Sequence, residues 1–349
     1  MHHSLPDNPL TSTVFSRSCE KGFETFSEKP FFICIPNFDN QYFCKMRFSL
    51  VWSTICITFL ILWGGCKEPR KNEKIQIVTT TGIIADCVSE IVGEQAEVTS
   101  LMGPGVDPHL YKASQGDITK LSSADIIIYN GLHLEGKMAK MLENYGKQKT
   151  VLAVGSYVKP ELLKKVDDNS DLVDPHIWFD PQIWSQGLEG IAKELSKIEG
   201  LESSFANCKK YIDLIDSSSN RASTLLDTTL NQSQRILITS HDAFEYFGDA
   251  FRFKVRGLQG ISTAAEYGAK DVKQLIDFII SNNVKAVFVE TSVSDKNLKA
   301  VLEGARARGY DLRIGGTLYS DALGAEGTKA ASYIGMLESN VSTISKGLR

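Results

Sequence analysis

From residue 74 onward, short runs rich in Ile, Val and Thr alternate with longer stretches in which apolar residues recur every three or four positions. That alternation constrains the fold more than any other feature, because strands separated by helices of this length form βαβ units around a parallel sheet. The first set of expected strands is Ile75–Thr80, Glu97–Leu101, Asp125–Tyr129 and Thr150–Val154, with helices expected at Gly82–Val92, Asp117–Ser122 and Gly136–Tyr145. A second set has the same grammar: strands at Arg235–Thr239, Ala286–Glu290 and Asp311–Ile314, with helices at Asp242–Phe251, Lys270–Ser281, Asp295–Arg308 and Thr328–Ser345. Two lobes of similar build follow. Between them, Glu202 to Leu230 contains no Gly or Pro, and Phe205, Cys208, Ile212, Ile215, Ala222 and Leu226 recur as one buried helical face would require. Such a helix spans roughly 40 Å and forms a stiff spine, so lobes joined by it close on a ligand only by small rocking. The expected fold class is therefore α/β: two lobes with parallel-type sheets, residues 74–200 and 232–349, joined by a long backbone helix over 201–231.

An apolar run, Phe48 to Trp63, precedes this region; Lys45 and Arg47 stand before it and Gly64-Gly65-Cys66 closes it. It is shorter than the roughly 20 residues of a membrane span and ends in small residues, as a secretory leader does. Residues 46–65 are expected to be a signal peptide and 66–73 a tether. A permanent N-terminal membrane anchor is the alternative. Cys66 after two glycines resembles a bacterial lipoprotein box and is the expected lipidation site, although Trp63 stands where such boxes usually carry Leu. Met46 fits the start of the leader, so residues 1–45 are expected to be an unstructured upstream extension. Of the seven cysteines, Cys66, Cys87 and Cys208 lie beyond the leader; Cys87 and Cys208 lack C-x-x-C spacing and are expected to be core residues rather than a disulfide or a zinc ribbon. The net charge of −4 offers no basic surface for a phosphate backbone, so nucleic acid is not an expected partner.

Beyond the leader the histidines are His109, His133, His176 and His241. Two share one context: Asp107-Pro108-His109 and Asp174-Pro175-His176. The proline fixes its own φ and drives the Asp before it towards extended geometry, presenting each His on a stiffened loop. Asp107, Asp174 and Asp180 stand near enough in sequence to orient an imidazole by accepting its second N–H. His241 follows a strand, at the expected start of a helix, and Asp321 lies in the loop after another strand. Both therefore fall at the carboxyl edge where ligands of open α/β sheets collect. Three imidazoles and one carboxylate, two from each lobe, would make a closed four- or five-coordinate metal site.

These residues lie within a longer ordered series: Thr79-Thr80, Gly105-Val106-Asp107-Pro108-His109, Tyr129-Asn130-Gly131-Leu132-His133-Leu134-Glu135, Asp174-Pro175-His176-Ile177-Trp178-Phe179-Asp180, Thr239-Ser240-His241-Asp242, Gly260-Ile261-Ser262-Thr263 with Glu266, Phe288-Val289-Glu290 and Ser320-Asp321-Ala322-Leu323. In that order they resemble the zinc/manganese-type solute-binding proteins of ABC importers, family 9, across essentially all of the chain from Lys74 to the end. The resemblance implies a C-clamp of two lobes with one metal between them and carries the ligand positions onto His109, His176, His241 and Asp321. It gives His133 no ligand role and implies a partly buried residue near the cleft. Glu290 becomes a fifth donor or an acceptor behind the ligands, and Glu266 a stabiliser of nearby loops. Zinc-specialised members often carry a His-rich loop, and this chain has none between Leu134 and Asp174.

The function so implied is capture of one divalent transition metal, manganese or zinc, as transported ligand, and its delivery to an ABC-transporter membrane permease. The protein would be an exported, lipid-anchored monomer on the periplasmic or cell-surface face of a bacterial membrane, and not an enzyme. Four protein donors leave little room for an activated water, which favours capture over catalysis. Neutral imidazoles bind metal only when deprotonated, so retention should weaken as pH falls into their titration range. The competing functions are a metal-dependent hydrolase, for which no nucleophile elbow, P-loop or H-E-x-x-H is present, and a surface adhesin.

Overall fold

The computed structural model describes residues 74–166, 171–264 and 267–349. The leader, Cys66 and Glu266 lie outside the described residues. In chain order the first half contains β1 (Ile75–Thr81), α1 (Gly82–Val92), β2 (Ala96–Met102), α2 (Gln115–Ser123), β3 (Ile126–Tyr129), α3 (Ala139–Gly146), β4 (Thr150–Ala153) and α4 (Pro181–Leu195). The long helix α5 (Ser204–Thr229) follows, and then β5 (Ile236–His241), α6 (Glu245–Phe251), β6 (Lys254–Gln259), α7 (Ala269–Ser281), β7 (Ala286–Glu290), α8 (Lys296–Ala307), β8 (Arg313–Leu318) and α9 (Tyr333–Gly347).

Every strand pairing among these is parallel. The first half holds a four-stranded sheet in the order β2-β1-β3-β4, whereas the second half holds two separate pairs, β5-β6 and β7-β8, with β7 alongside β5. The halves thus share a grammar but not a sheet. Because side chains alternate across a strand, consecutive residues serve different layers. Ile77, Ile126 and Ile128 face a large central core, while Val78 and Ile127 face a smaller outer one. The second half repeats this, with Leu237 and Phe288 on the central core and Ile238 and Val287 on an outer cluster with α7 and α8. Each side chain of this size, fully buried, contributes about 2 kcal/mol.

Helix α5 runs 26 residues, about 39 Å at 1.5 Å per residue. Its buried face is Ser204, Cys208, Tyr211, Ile215, Ser218, Ala222 and Leu226. Two members of the expected stripe move off it: Phe205 is exposed and Ile212 only partly buried, because the inward face tolerates serines where neighbouring helices come close. The first half of α5 packs on α1 and α4, with Tyr211 Oη donating to Asp86 Oδ2 at 3.3 Å and Asn207 to the Ile91 carbonyl at 3.1 Å. Its second half packs on α9, where Arg221 meets Glu338 at 2.7 Å and Ser345 meets Thr229 at 2.9 Å. Cys87 and Cys208 are free and buried.

Several sequence expectations are corrected. Helix α4 and strand β6 are absent from the expected elements. His241 is the last residue of β5 rather than the start of a helix, and α6 begins only at Glu245. Strand β8 lies at Arg313–Leu318, later than Asp311–Ile314. The helix expected at Thr328–Ser345 starts at Tyr333, where Ser332 caps it by accepting from the Gly335 N–H.

Candidate metal centre

The carboxyl ends of the strands converge. His241 ends β5 and Glu290 ends β7, while His109 and Asp321 sit in the loops that follow β2 and β8. His176 immediately precedes a short 3-10 turn, Ile177–Phe179, that leads into α4. The structure brings His109, His176, His241 and Asp321 together: one donor atom from each lies within 4.8 Å of all the others, and all four side chains are buried.

The spacing suits an ion. His109 Nε2 lies 3.2 Å from His176 Nε2, His176 Nε2 lies 3.5 Å from Asp321 Oδ1, and His241 Nε2 lies 3.4 Å from Asp321 Oδ2. Donors at about 2.0–2.1 Å from a tetrahedral ion stand about 3.3 Å apart. The two Asp321 oxygens face different imidazoles, which also suits a five-coordinate arrangement. His241 Nε2 and Asp321 Oδ1 are buried and have no hydrogen-bond partner; the 3.4 Å approach of His241 lacks hydrogen-bond geometry. Unpaired buried donors and acceptors are costly, and two converging on one point fit a cation-binding centre.

Behind the imidazoles the wiring differs. Asp174 Oδ1 accepts from the His176 backbone N–H at 3.0 Å and pairs with His176 Nδ1 at 2.6 Å. Glu290 treats His241 likewise, Oε1 accepting the backbone N–H at 2.9 Å and Oε2 meeting Nδ1 at 2.5 Å. Glu290 is therefore placed to orient the ring from behind, leaving Nε2 turned towards the cluster. Asp107 Oδ1 accepts only the His109 backbone N–H, at 2.8 Å. Asp180 orients no imidazole: its carboxylate caps α4, accepting from the Gln182 and Ile183 N–H groups, as a residue before a helix-opening proline does.

Electrostatics follow from burial and these partners. Burial pushes the His109 imidazole down to about 3 despite the opposing pull of Asp321, so it is neutral at physiological pH. Burial also acts to lower His241, but Glu290 and Asp321 outweigh it and hold that imidazole well above its usual range. Asp321 is buried, which alone would raise it, yet His241, His176 and His109 hold it below the usual carboxylate range. Burial raises Asp107, with the Thr263 hydroxyl opposing.

Several supporting residues escape sequence reasoning except as parts of a motif. Asn130 Nδ2 donates to the Pro175 carbonyl at 3.0 Å, pinning the loop that carries His176. Residues Gly131, Leu132 and His133 all adopt positive φ. Glu135, buried, steadies this left-handed run by accepting from the Asn130 and Gly131 N–H groups and from Thr80 Oγ1. His133 itself is exposed, not partly buried, because the left-handed turn aims its side chain outward. Gly257, on β6, permits the backbone approach that ends β5: a Cβ there would lie 2.4 Å from the Asp242 nitrogen. Trp178 stands edge-on to His176 with ring centroids 5.2 Å apart and donates to the Ser320 carbonyl at 3.0 Å, tying one ligand loop to the other.

Comparison with known proteins agrees with this geometry. Residues 77–347 match the family described as zinc-uptake complex component A, periplasmic. The chain is 42% identical over 311 residues to the manganese-binding lipoprotein MntA of Bacillus subtilis, covering 87% of this chain and 100% of the relative. It is 38% identical over 285 residues to the zinc-binding protein TroA of Treponema pallidum, covering 80% of this chain and 91% of TroA. The solved structure of that periplasmic zinc-binding protein superimposes with a TM-score of 0.76 at 38% identity, covering 79% of this chain and 99% of the other.

Proposed function

The chain belongs to the periplasmic zinc-uptake complex component A family, and from that premise we propose that it captures one manganese or zinc ion and delivers it to the membrane permease of an ABC importer. His109, His176, His241 and Asp321 are the proposed ligands. The observation that carries this is the convergence of their four donor atoms within 4.8 Å, with unpaired atoms of His241 and Asp321 turned inward.

Four protein donors around one ion leave little room for an activated water, which favours the ion as cargo and the protein as a receptor rather than an enzyme. Nitrogen-rich donors favour zinc in raw affinity, while an Asp321 that offers both oxygens accommodates the higher coordination manganese takes. The names of the curated relatives support an exported lipoprotein held at the membrane. We assign residues 46–65 to the leader, Cys66 to lipid attachment, 74–200 and 232–349 to the two lobes and 201–231 to the linking helix, with a monomer as the working unit.

Metal analysis of protein purified without added metal tests the assignment. The wild type should hold one ion per chain, and His241→Ala and Asp321→Ala should purify without it. Unchanged content in both variants would remove these residues from the coordination sphere.

A further inference from the structure

One hydrogen bond joins two distant loops beside the site. Thr263 Oγ1 donates to Asp107 Oδ2 at 2.7 Å, between residues 156 positions apart. Both ends are anchored. Gln259, the last residue of β6 and the register partner of His241, donates from Nε2 to the Thr263 carbonyl at 2.5 Å. On the other side Asp107 Oδ1 accepts the His109 backbone N–H at 2.8 Å. A continuous path therefore runs from the strand end that carries His241 to the loop that carries His109.

His109 is the ligand that depends on such a path. Of the three imidazoles it is the least buried, at 5% exposure against 0% for His176 and His241. Asp174 and Glu290 lock the Nδ1 atoms of the other two. Among the described residues no carboxylate meets His109 Nδ1, in contrast to the other two imidazoles. Beside it Leu110 is 49% exposed, which marks this loop as the solvent side of the centre.

We propose that Thr263 is a positioning residue for metal retention: its hydroxyl, acting through Asp107, holds the His109 loop over the ion and sets the rate at which the ion departs. This rests on the metal-capture function proposed above. The Thr263 hydroxyl donates to Asp107 and not to an imidazole. Its effect is kinetic, because the hydrogen bond must break before the loop can swing His109 away.

The test uses the full chain loaded with one equivalent of zinc and mixed with excess fluorescent chelator, so that release is followed directly. Thr263→Val, nearly isosteric but without the hydroxyl, should release zinc about tenfold faster, the scale of one hydrogen bond to a charged group. Thr263→Ser keeps the hydroxyl and should release at the wild-type rate. Asp107→Ala should also accelerate release, and adding Thr263→Val to it should bring no further acceleration, since Asp107→Ala already removes the bond to Thr263 along with the acceptor of the His109 N–H. Wild-type release from Thr263→Val, or effects of the two substitutions that multiply, would overturn the proposal. Loading is measured first on the wild type: a chain that holds no zinc or manganese at all would overturn the capture assignment itself, whereas a loaded wild type with an indifferent Thr263→Val would overturn only the role of Thr263.

Discussion

The two Asp-Pro-His loops have the same three residues and opposite wiring. In one, Asp174 turns inward on its own histidine, holding both the backbone and the ring of His176, while Asn130 pins the intervening Pro175 carbonyl. In the other, Asp107 holds only the backbone of His109 and spends its second oxygen on Thr263, across the site. Both loops reach the other lobe, the first through Trp178 to the Ser320 carbonyl and Tyr246 to the Asp174 carbonyl, the second through the side chain of Asp107 itself. The tripeptide supplies stiffness in both cases, and the partner of each Asp side chain decides whether the histidine is held by ring and backbone or by backbone alone.

The largest expected effect separates the loops by stability. In metal-free protein His176→Ala removes the imidazole partner of Asp174, which is 1% exposed and keeps only the backbone N–H at that position, and should cost about 3 kcal/mol in urea unfolding, the lower end for breaking a buried pair. His109→Ala leaves Asp107 with its other partners and should cost under about 1 kcal/mol. Equal losses would erase the distinction. Next, Asp174→Asn should weaken metal affinity by about 10- to 100-fold in chelator competition, as loss of a carboxylate behind a ligating imidazole does, and Asp107→Asn by less than about tenfold. A smaller effect should appear on metal removal: amides in residues 103–114 should exchange hydrogen faster after chelation, while those in 174–179 keep their protection. The smallest concerns the exposed loop histidine. His133→Asn, which tolerates positive φ, should leave metal content unchanged and stability within about 0.5 kcal/mol.

Much of this was legible from the chain, and the gaps have physical causes. Strands β1, β3 and β7 are short β-branched runs whose alternation follows directly from two-sided burial. Helix α4 was hidden by Gly187 and Gly190, residues that normally argue against a helix. Here they are required, since a Cβ at Gly190 would fall 2.3 Å from the Tyr157 side chain and one at Gly187 2.5 Å from Val154. Strand β6, Lys-Val-Arg-Gly-Leu-Gln, is broken by Gly257 for the similar reason that the end of β5 crowds it. At the site, the ligand types and their stiff contexts could be read, but Asn130 and Thr263 could not. Uncharged polar residues acquire such roles only from a partner the fold delivers, and no spacing announces that partner. Phe205 misled for the converse reason: a helix pressed closely against its neighbours buries serine and leaves an aromatic outside.

The central apolar cluster runs without interruption from Ile77 in β1, through Trp184 and the inward face of α5, to Phe288 in β7 and Val341 in α9. The two lobes therefore share one continuous core. Heating should melt them in one calorimetric transition, and either half expressed alone would present the wall of a core whose other wall is missing.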